Sequence, residues 1–372
     1  MGANNKLNNY ITIHSVNMEK VKLDALRKIM REYEKLRKDL SAEIARFDLT
    51  EISSLSLKRK RMLRLFSQAG EVINTGYREI EKRANAELLQ VASLEADFSR
   101  LAVNKAVGVN IASTALSSPM LEQVVSNTLI QGAKSAEWWK RQNVSTLNKF
   151  KDTIRMHLLR GSTLGQMVRS VRGTRKNRFT DGILHASTKE AETLIRTSIQ
   201  TVANRAAEAT YRANSDIVRG YIWLSTLDSR TTEICAVRDG LEYTLDYQPI
   251  GHNIPWLEGP GSIHWKCRSR SMPLLKDYKN IPKGKQQQIR KLGFRATKFG
   301  PVARGTKFEP WLKAIDKERP GVAVKILGKK KAKLWRNSKL SLRDLVTGDG
   351  KPMSTMQLKR KYSKEWKKAM HE

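Results

Sequence analysis

Cysteine is scarce in this sequence: only Cys235 and Cys267 occur in 372 residues. A disulfide-framed secreted domain is therefore excluded, and synthesis in a reducing cytoplasm is expected. Six histidines are scattered at 14, 157, 185, 252, 264 and 371, which is a poor pattern for a histidine-rich metal nuclease. No apolar run approaches the roughly 20 residues that a spanning helix needs, so no membrane role is expected. Met1-Gly2-Ala3-Asn4-Asn5 has neither the basic start nor the apolar centre of a signal peptide, and the start matches no acylation signal. Gly161 to Gly165 and Gly173 lack the Lys-Ser/Thr ending of an ATPase phosphate loop, so an ATP-driven motor is excluded. Carboxylates are also in short supply. Asp and Glu number 36 against 70 Lys and Arg, a formal net charge of +34.

An excess that large repels itself in a compact chain and calls for a polyanion. The hydrophobic fraction is 40%, which marks a folded protein with a real core and not a disordered basic tail. Basic residues recur from end to end, so nucleic acid is the favoured partner, against the plainer reading of a merely solvated surface. Discrete clusters stand out: Arg172, Arg175, Lys176 and Arg178; then Lys325, Lys329, Lys330, Lys331 and Lys333; then Lys359, Arg360, Lys361, Lys364, Lys367 and Lys368. Lysines and arginines set on phosphates release counterions and bind without regard to sequence. Trp335, Tyr362 and Trp366 lie among them; they either stack on bases or dock the tail onto the body, and docking is favoured.

The pattern predicts a mainly α protein with a small α+β module. Residues 1–101 read as a helical hairpin. In its first helix Leu26, Met30, Tyr33, Leu40, Ile44 and Phe47 form a coiled-coil-like seam that Arg37 interrupts. A turn near 48–56 leads to a second helix, which Gly70 and Gly76 weaken. Residues 102–186 read as a helical linker region: a small-residue stretch to Ser118, helix restarting at Pro119 and continuing to Leu158, a stop and new cap at Arg160 to Thr163, and a basic loop at 172–181. Residues 187–281 read as the α+β module. Its helix is expected to open on a Ser187/Glu190 capping box, and strands are expected at 217–224 and near 268–274. Residues 282–372 read as a basic C-terminal region with short helices near 286–292, 310–317 and 322–335.

From Arg196 onward the sequence resembles the phage Mu F-like head morphogenesis family of tailed phages. Four pieces carry the likeness. The first is Ile195-Arg196-Thr197 with Tyr211, running into Gly220-Tyr221-Ile222-Trp223. The second is Leu227-Asp228-Ser229-Arg230-Thr231-Thr232-Glu233-Ile234-Cys235, followed by Asp239-Gly240 and Tyr243. The third is Gly259-Pro260 and His264-Trp265-Lys266-Cys267-Arg268-Ser269. The fourth is a tail with Trp311-Leu312, Leu327-Gly328-Lys329, Leu334-Trp335-Arg336 and Leu340 to Val346. No family signature is evident in the amino-terminal half. The resemblance implies a virion structural protein, not an enzyme. It would act in head morphogenesis from the capsid interior, after assembly in the host cytoplasm. Its expected partners are portal or major capsid protein and viral double-stranded DNA, and delivery with the genome is compatible with it. The alternative is a stand-alone nucleic-acid-binding regulator or nuclease.

Many relatives carry further cysteines where this chain has Thr232 and Ser269, a pattern resembling two metal knuckles. Cys235, His264 and Cys267 remain here. Three readings of that trio stay open: a zinc site, which would need Asp228, Asp239 or His252 as fourth ligand; a Cys235–Cys267 disulfide; or a buried remnant that only packs. No cofactor is required by the head-protein reading, and zinc is the candidate if any metal binds. Asp228, Arg230, Thr231, Gly240 and Arg268 are expected to be structural, with Asp228 capping backbone N–H groups. Glu190-Ala191-Glu192 imitates the paired glutamates of ADP-ribosyltransferases, but acidic residues at a helix start have a capping explanation. His264 has no carboxylate at short spacing to orient it as a catalytic base.

Overall fold

A computed structural model describes residues 3–46, 55–107, 112–276, 294–297, 300–303 and 307–371. Helix accounts for 67% and strand for 8%, so the chain is mainly α with a small antiparallel sheet. The chain divides into two compact units: residues 1–18, 92–121 and 203–372 form one, and 19–91 and 122–202 the other.

Two long helices, α1 (Ala3–Ala45) and α2 (Leu55–Val107), contribute to both units. Their buried positions repeat every eleven residues. In α1, Leu7, Met18, Ile29 and Leu40 form one such row, and Ile11, Lys22, Tyr33 and Ile44 another. In α2 the rows are Ala69, Ile80, Val91 and Ala102, and Phe66, Tyr77, Leu88 and Ser99. Eleven residues in three turns is 3.67 per turn, close to a straight helix, which a seven-residue coiled-coil seam is not. Tyr33, Leu40 and Ile44 of the expected seam are buried, and its amino-terminal part is corrected by one position. Ala25, Ile29 and Leu36 are buried, Leu26 and Met30 are only partly so, and Arg37 does not interrupt the apolar row because Leu36 fills it. Gly76 does not weaken α2 either. It sits against Leu36, whose Cδ1 would lie 2.7 Å from an added Cβ. The expected turn at 48–56 falls mostly outside the described residues, as do Phe47 and the expected helix at 286–292.

Within the second unit α1 and α2 meet through Tyr33 and Tyr77, whose rings are 5.9 Å apart edge to face. Tyr33 Oη donates to Gln142 at 2.8 Å, and the Tyr77 hydroxyl shares a 2.7 Å hydrogen bond with Thr146. Pro119 lies in the first turn of α3 (Ser118–Asn127), as its fixed φ favours. The single helix expected from there to Leu158 is interrupted. Strands β1 (Leu129–Ile130) and β2 (Ala133–Lys134) form a hairpin before α4 (Ser135–Leu159). Its turn is Gln131-Gly132, at φ 49° and 82°; two consecutive left-handed residues are what a two-residue hairpin turn demands. Gly161 (φ 64°) then ends α4, and Thr163 caps α5 (Leu164–Arg172) with a capping box to Gln166. Helix α6 (Ile183–Ala213) begins four residues before Ser187. Ser187 is no cap: it is buried inside the helix, with its hydroxyl 3.0 Å from that of Thr146.

The first unit holds the sheet, in the order β5-β4-β3-β6, all neighbours antiparallel. Strand β3 is Val218–Leu224 and β6 is Arg270–Leu275, close to expectation; β4 (Glu242–Thr244) and β5 (Pro249–Ile250) lie in the stretch read as loop. Gly220 is dictated by the β4 crossing, since an added Cβ would lie 2.1 Å from the Tyr243 carbonyl oxygen. The sheet packs with Leu7, Ile11, Val103, Tyr211, Trp223 and Trp256 in one core. A second core is built on the C-terminal helices: α7 (Phe308–Glu318), α8 (Val322–Leu327), α9 (Lys329–Arg336), α10 (Thr355–Lys361) and α11 (Ser363–His371), with Phe308, Trp311, Leu312, Leu334 and Trp335 at its centre. Gly328 (φ 78°) divides the helix expected across 322–335.

Candidate functional site

The β3–β6 module is organised by groups that accept and donate inside its own loops. Asn204 on α6 is buried; its amide nitrogen donates to the carbonyls of Pro260 (2.9 Å) and Ser269 (3.0 Å), and its oxygen accepts from Ser271 N at 3.1 Å. One side chain thus fixes both ends of the 260–271 segment. Asp239 accepts from Ser225 N at 2.7 Å and from Phe308 N at 3.0 Å, tying the module to the C-terminal helices. Arg238 is fully buried and donates only to carbonyls: Ile234 at 2.8 Å, Pro255 and Gly350 at 3.2 Å, and Asp349 at 3.3 Å. Sequence reasoning missed Asn204 and Arg238, because polar side chains of these types read as surface; Asp239 was expected as a motif residue and candidate metal ligand, and it serves instead as a backbone staple.

Asp228 is the centre of the 227–231 turn. It is 3% exposed and accepts from Arg268 Nη1 at 2.5 Å and Nη2 at 2.6 Å and from Arg230 N at 2.9 Å. Burial pushes its carboxyl up, but the Arg268 guanidinium outweighs that and holds it below its usual value. Thr231 donates its hydroxyl to the Thr226 carbonyl. Gly240 (φ 74°) donates its N–H to Trp223 O at 2.8 Å. Arg230 contributes its backbone; its side chain is 73% exposed and reaches Asp228 only at 3.5 Å.

The two cysteines meet above this turn. A one-turn helix at Glu233–Ala236 carries Cys235. Across from it, a tight turn closes with Cys267 N donating to His264 O at 3.2 Å, with Lys266 at φ 60°. That left-handed lysine is a strained choice, and the turn sets His264 and Cys267 on one side. The sulfurs of Cys235 and Cys267 are 3.7 Å apart, and Cys235 Sγ is 3.2 Å from His264 Nε2. Both thiols are free and buried. His264 Nδ1 lies 2.9 Å from the Trp265 carbonyl, which can only accept, so Nδ1 carries a proton and Nε2 faces the sulfurs. Thr232 Oγ1 is 3.0 Å from the same Nε2. Burial pushes the Cys267 thiol up, yet the hydrogen bonds from Cys235 and His264 hold it well below the usual thiol range; the bond to Cys267 and then burial push Cys235 well above it.

None of the expected fourth ligands joins the trio. Asp228 is held by Arg268 and Asp239 by two backbone N–H groups, while His252 Nε2 is on Glu242 O at 2.8 Å. Among the described residues, the only His, Cys, Asp or Glu side chains converging there are Cys235, His264 and Cys267.

The basic residues sort into two kinds. Arg175, Lys176 and Arg178 are exposed on a built loop. Asp181 staples it, accepting from Thr174 N and Oγ1 at 2.7 Å and Asn177 Nδ2 at 2.9 Å, and these bonds depress its carboxyl to about 2. Phe179 anchors it, lying under the guanidiniums of Arg37 (4.1 Å) and Arg172 (5.8 Å). Lys329, Lys330, Lys359, Arg360 and Lys361 are exposed as well. Lys331 and Lys333 are not free for a ligand: Lys331 pairs with Glu233 at 2.8 Å, and Lys333 donates to Met370 O at 3.1 Å. Trp335 is buried and donates to Glu309 at 3.0 Å, and Tyr362 and Trp366 pack on the second core, so these aromatics dock the tail.

These observations define a mainly α protein whose small antiparallel module is held by internal polar staples. Residues 148–272 match the family model described as Phage Mu protein F like protein. This stretch is about a third of the chain; it takes in the first three motif pieces and reaches back through α5 and the basic loop, where no motif of the family is evident. The tail pieces from Trp311 onward lie outside it. No curated protein and no solved structure matches the chain. The phage Mu F-like resemblance is thereby supported, and the family points to a structural protein of phage head morphogenesis. Among the described residues, no helix is long and apolar enough to cross a membrane.

Proposed function

We propose that this chain is a minor head protein, resident in the virion on the inner side of the capsid or at the portal, which contacts packaged double-stranded DNA without sequence specificity. The role is structural, not catalytic. The observation that carries it is the match of residues 148–272 to a head-morphogenesis family, in a chain of net charge +34. One local feature supports the DNA contact. Lys329, Lys330 and Lys331 occupy the first turn of α9, where the helix dipole disfavours cations by about 0.3–1 kcal/mol each. Only Lys331 has a folding role there, through Glu233; the two exposed lysines are explained by an anionic partner.

Duplex binding is tested by anisotropy across a salt series. Affinity should be indifferent to sequence and fall steeply with salt, each phosphate contact adding about 0.9 to the log–log slope. The triple substitution Arg175→Ala, Lys176→Ala, Arg178→Ala should flatten that slope by up to about 3. Unlabelled random DNA should displace the probe, and an acidic protein should not. Absence of binding would assign the basic surface to a protein partner. A thousandfold preference for one sequence would make the chain a regulator.

A further inference from the structure

We propose that Cys235, His264 and Cys267 bind one zinc ion, with the fourth coordination position filled by water beside Thr232. This is independent of the head-protein role. The argument is geometric. Two thiolates on a tetrahedral zinc, each at about 2.3 Å, are separated by about 3.8 Å, and the two sulfurs stand 3.7 Å apart. A thiolate and an imidazole nitrogen on the same ion are separated by about 3.6 Å; Cys235 Sγ and His264 Nε2 are 3.2 Å apart, closer by a few tenths of an ångström. All three ligand atoms lie within 4.8 Å of one another, against about 3.6–3.8 Å for ligands that share one ion, so side-chain adjustment brings them onto a common centre.

The surroundings fit a ligand set better than a packing remnant. His264 is oriented through Nδ1 on the Trp265 carbonyl, the outer contact that metal-bound histidines use to present the opposite nitrogen. The turn bearing His264 and Cys267 keeps Lys266 in a left-handed conformation. Packing two small thiols does not require that strain, whereas aiming both side chains at one point does. Two sulfurs and one imidazole favour zinc over the hard cations. A closed structural site has four protein ligands, and only three converge here; Thr232 Oγ1, 3.0 Å from His264 Nε2, marks the remaining corner and can hold a bound water by hydrogen bond. The ion would clamp the helix at 233–236 to the turn that leads into β6.

The test uses the full chain, purified without chelator and then stripped and reloaded. Elemental analysis should give one zinc per chain, and cobalt(II) should bind with the intense visible bands and sulfur-to-metal charge transfer of a tetrahedral dithiolate site. Zinc should slow alkylation of both cysteines by at least tenfold, and a chelator should restore it. Cys235→Ser or Cys267→Ser should about halve the cobalt charge-transfer bands, and the double variant should abolish them. His264→Ala should weaken zinc binding by at least tenfold while the far-ultraviolet spectrum stays unchanged. If any variant misfolds, the alkylation protection of the unaltered protein decides alone. A folded protein that takes up less than a tenth of an equivalent of zinc overturns the proposal. So does one whose cobalt complex stays pale and octahedral, or whose two cysteines form a disulfide that zinc does not prevent.

Discussion

Replacing Asp228 with Ala should be among the most costly single changes in the sheet module. The carboxylate is 3% exposed and accepts two hydrogen bonds from Arg268, at 2.5 and 2.6 Å, and one from the Arg230 amide. Removing one member of a buried ion pair costs about 3–5 kcal/mol because the other is left charged and unpaired. Arg268 keeps 21% of its side-chain surface in solvent, so the lower end, about 3 kcal/mol, applies. For a cooperative unit of 150–250 residues, about 2–4 °C is lost per kcal/mol. Calorimetry at pH 7 should therefore show the unit's transition about 6–12 °C lower. Arg268→Met should cost less, since Asp228 retains the Arg230 amide, and the double variant should recover about 2 kcal/mol of coupling. The pH dependence has a fixed sign. The folded carboxyl lies below its unfolded value, so its stabilisation is complete above the unfolded value of about 3.9 and disappears as pH falls through the folded one. The deficit of the Ala variant must shrink below about pH 4. A loss under 1 °C at pH 7, or a deficit that grows in acid, would refute the role given to this turn.

Lys331→Ala should lower stability by about 1–3 kcal/mol by stranding the largely buried Glu233, while Lys329→Ala with Lys330→Ala should leave thermal stability within 0.5 kcal/mol, roughly the ordinary range for surface changes, and weaken DNA binding. Gly220→Val should disrupt the pairing of β3 and β4, because even a Cβ meets the Tyr243 carbonyl; reduced soluble yield and lost near-ultraviolet signal from Trp223 are expected. Asp181→Ala should raise amide exchange and protease cutting at 174–180, and in the unaltered protein, with this carboxyl held to about 2, the loop's protection should persist as acid is added until the pH approaches that value.

The elements that sequence alone made legible are those whose side chains carry a short-range signal. The β-branched and aromatic run of β3, the Pro119 restart and the Thr163 cap each depend on neighbours within a few residues. The errors share a different origin. In α1 the pattern shows Tyr33, Leu40 and Ile44 but places Leu26 and Met30 where Ala25 and Ile29 are buried, because Ala25 is small and Arg37 masks the role of Leu36; the eleven-residue spacing is visible only in the burial itself. Gln131-Gly132 looks like a tolerable interruption of helix until both residues are found left-handed. Ser187 has the chemistry of a cap, but Thr146, distant in sequence, takes its hydroxyl into the core. At the site, the cysteines and His264 were named from the motif, while Asn204, Arg238 and Asp239 act on backbone carbonyls and amides that no sequence pattern displays.

A component of the phage head, as proposed for this chain, must travel with the particle. Quantitative mass spectrometry of particles purified by density gradient, full and emptied of DNA, tests it most directly. The chain should be present in full particles at a fixed stoichiometry to the portal protein. It should be protected from added protease until the capsid is opened. Particles that lack it while the infected cytoplasm retains it would contradict the claim.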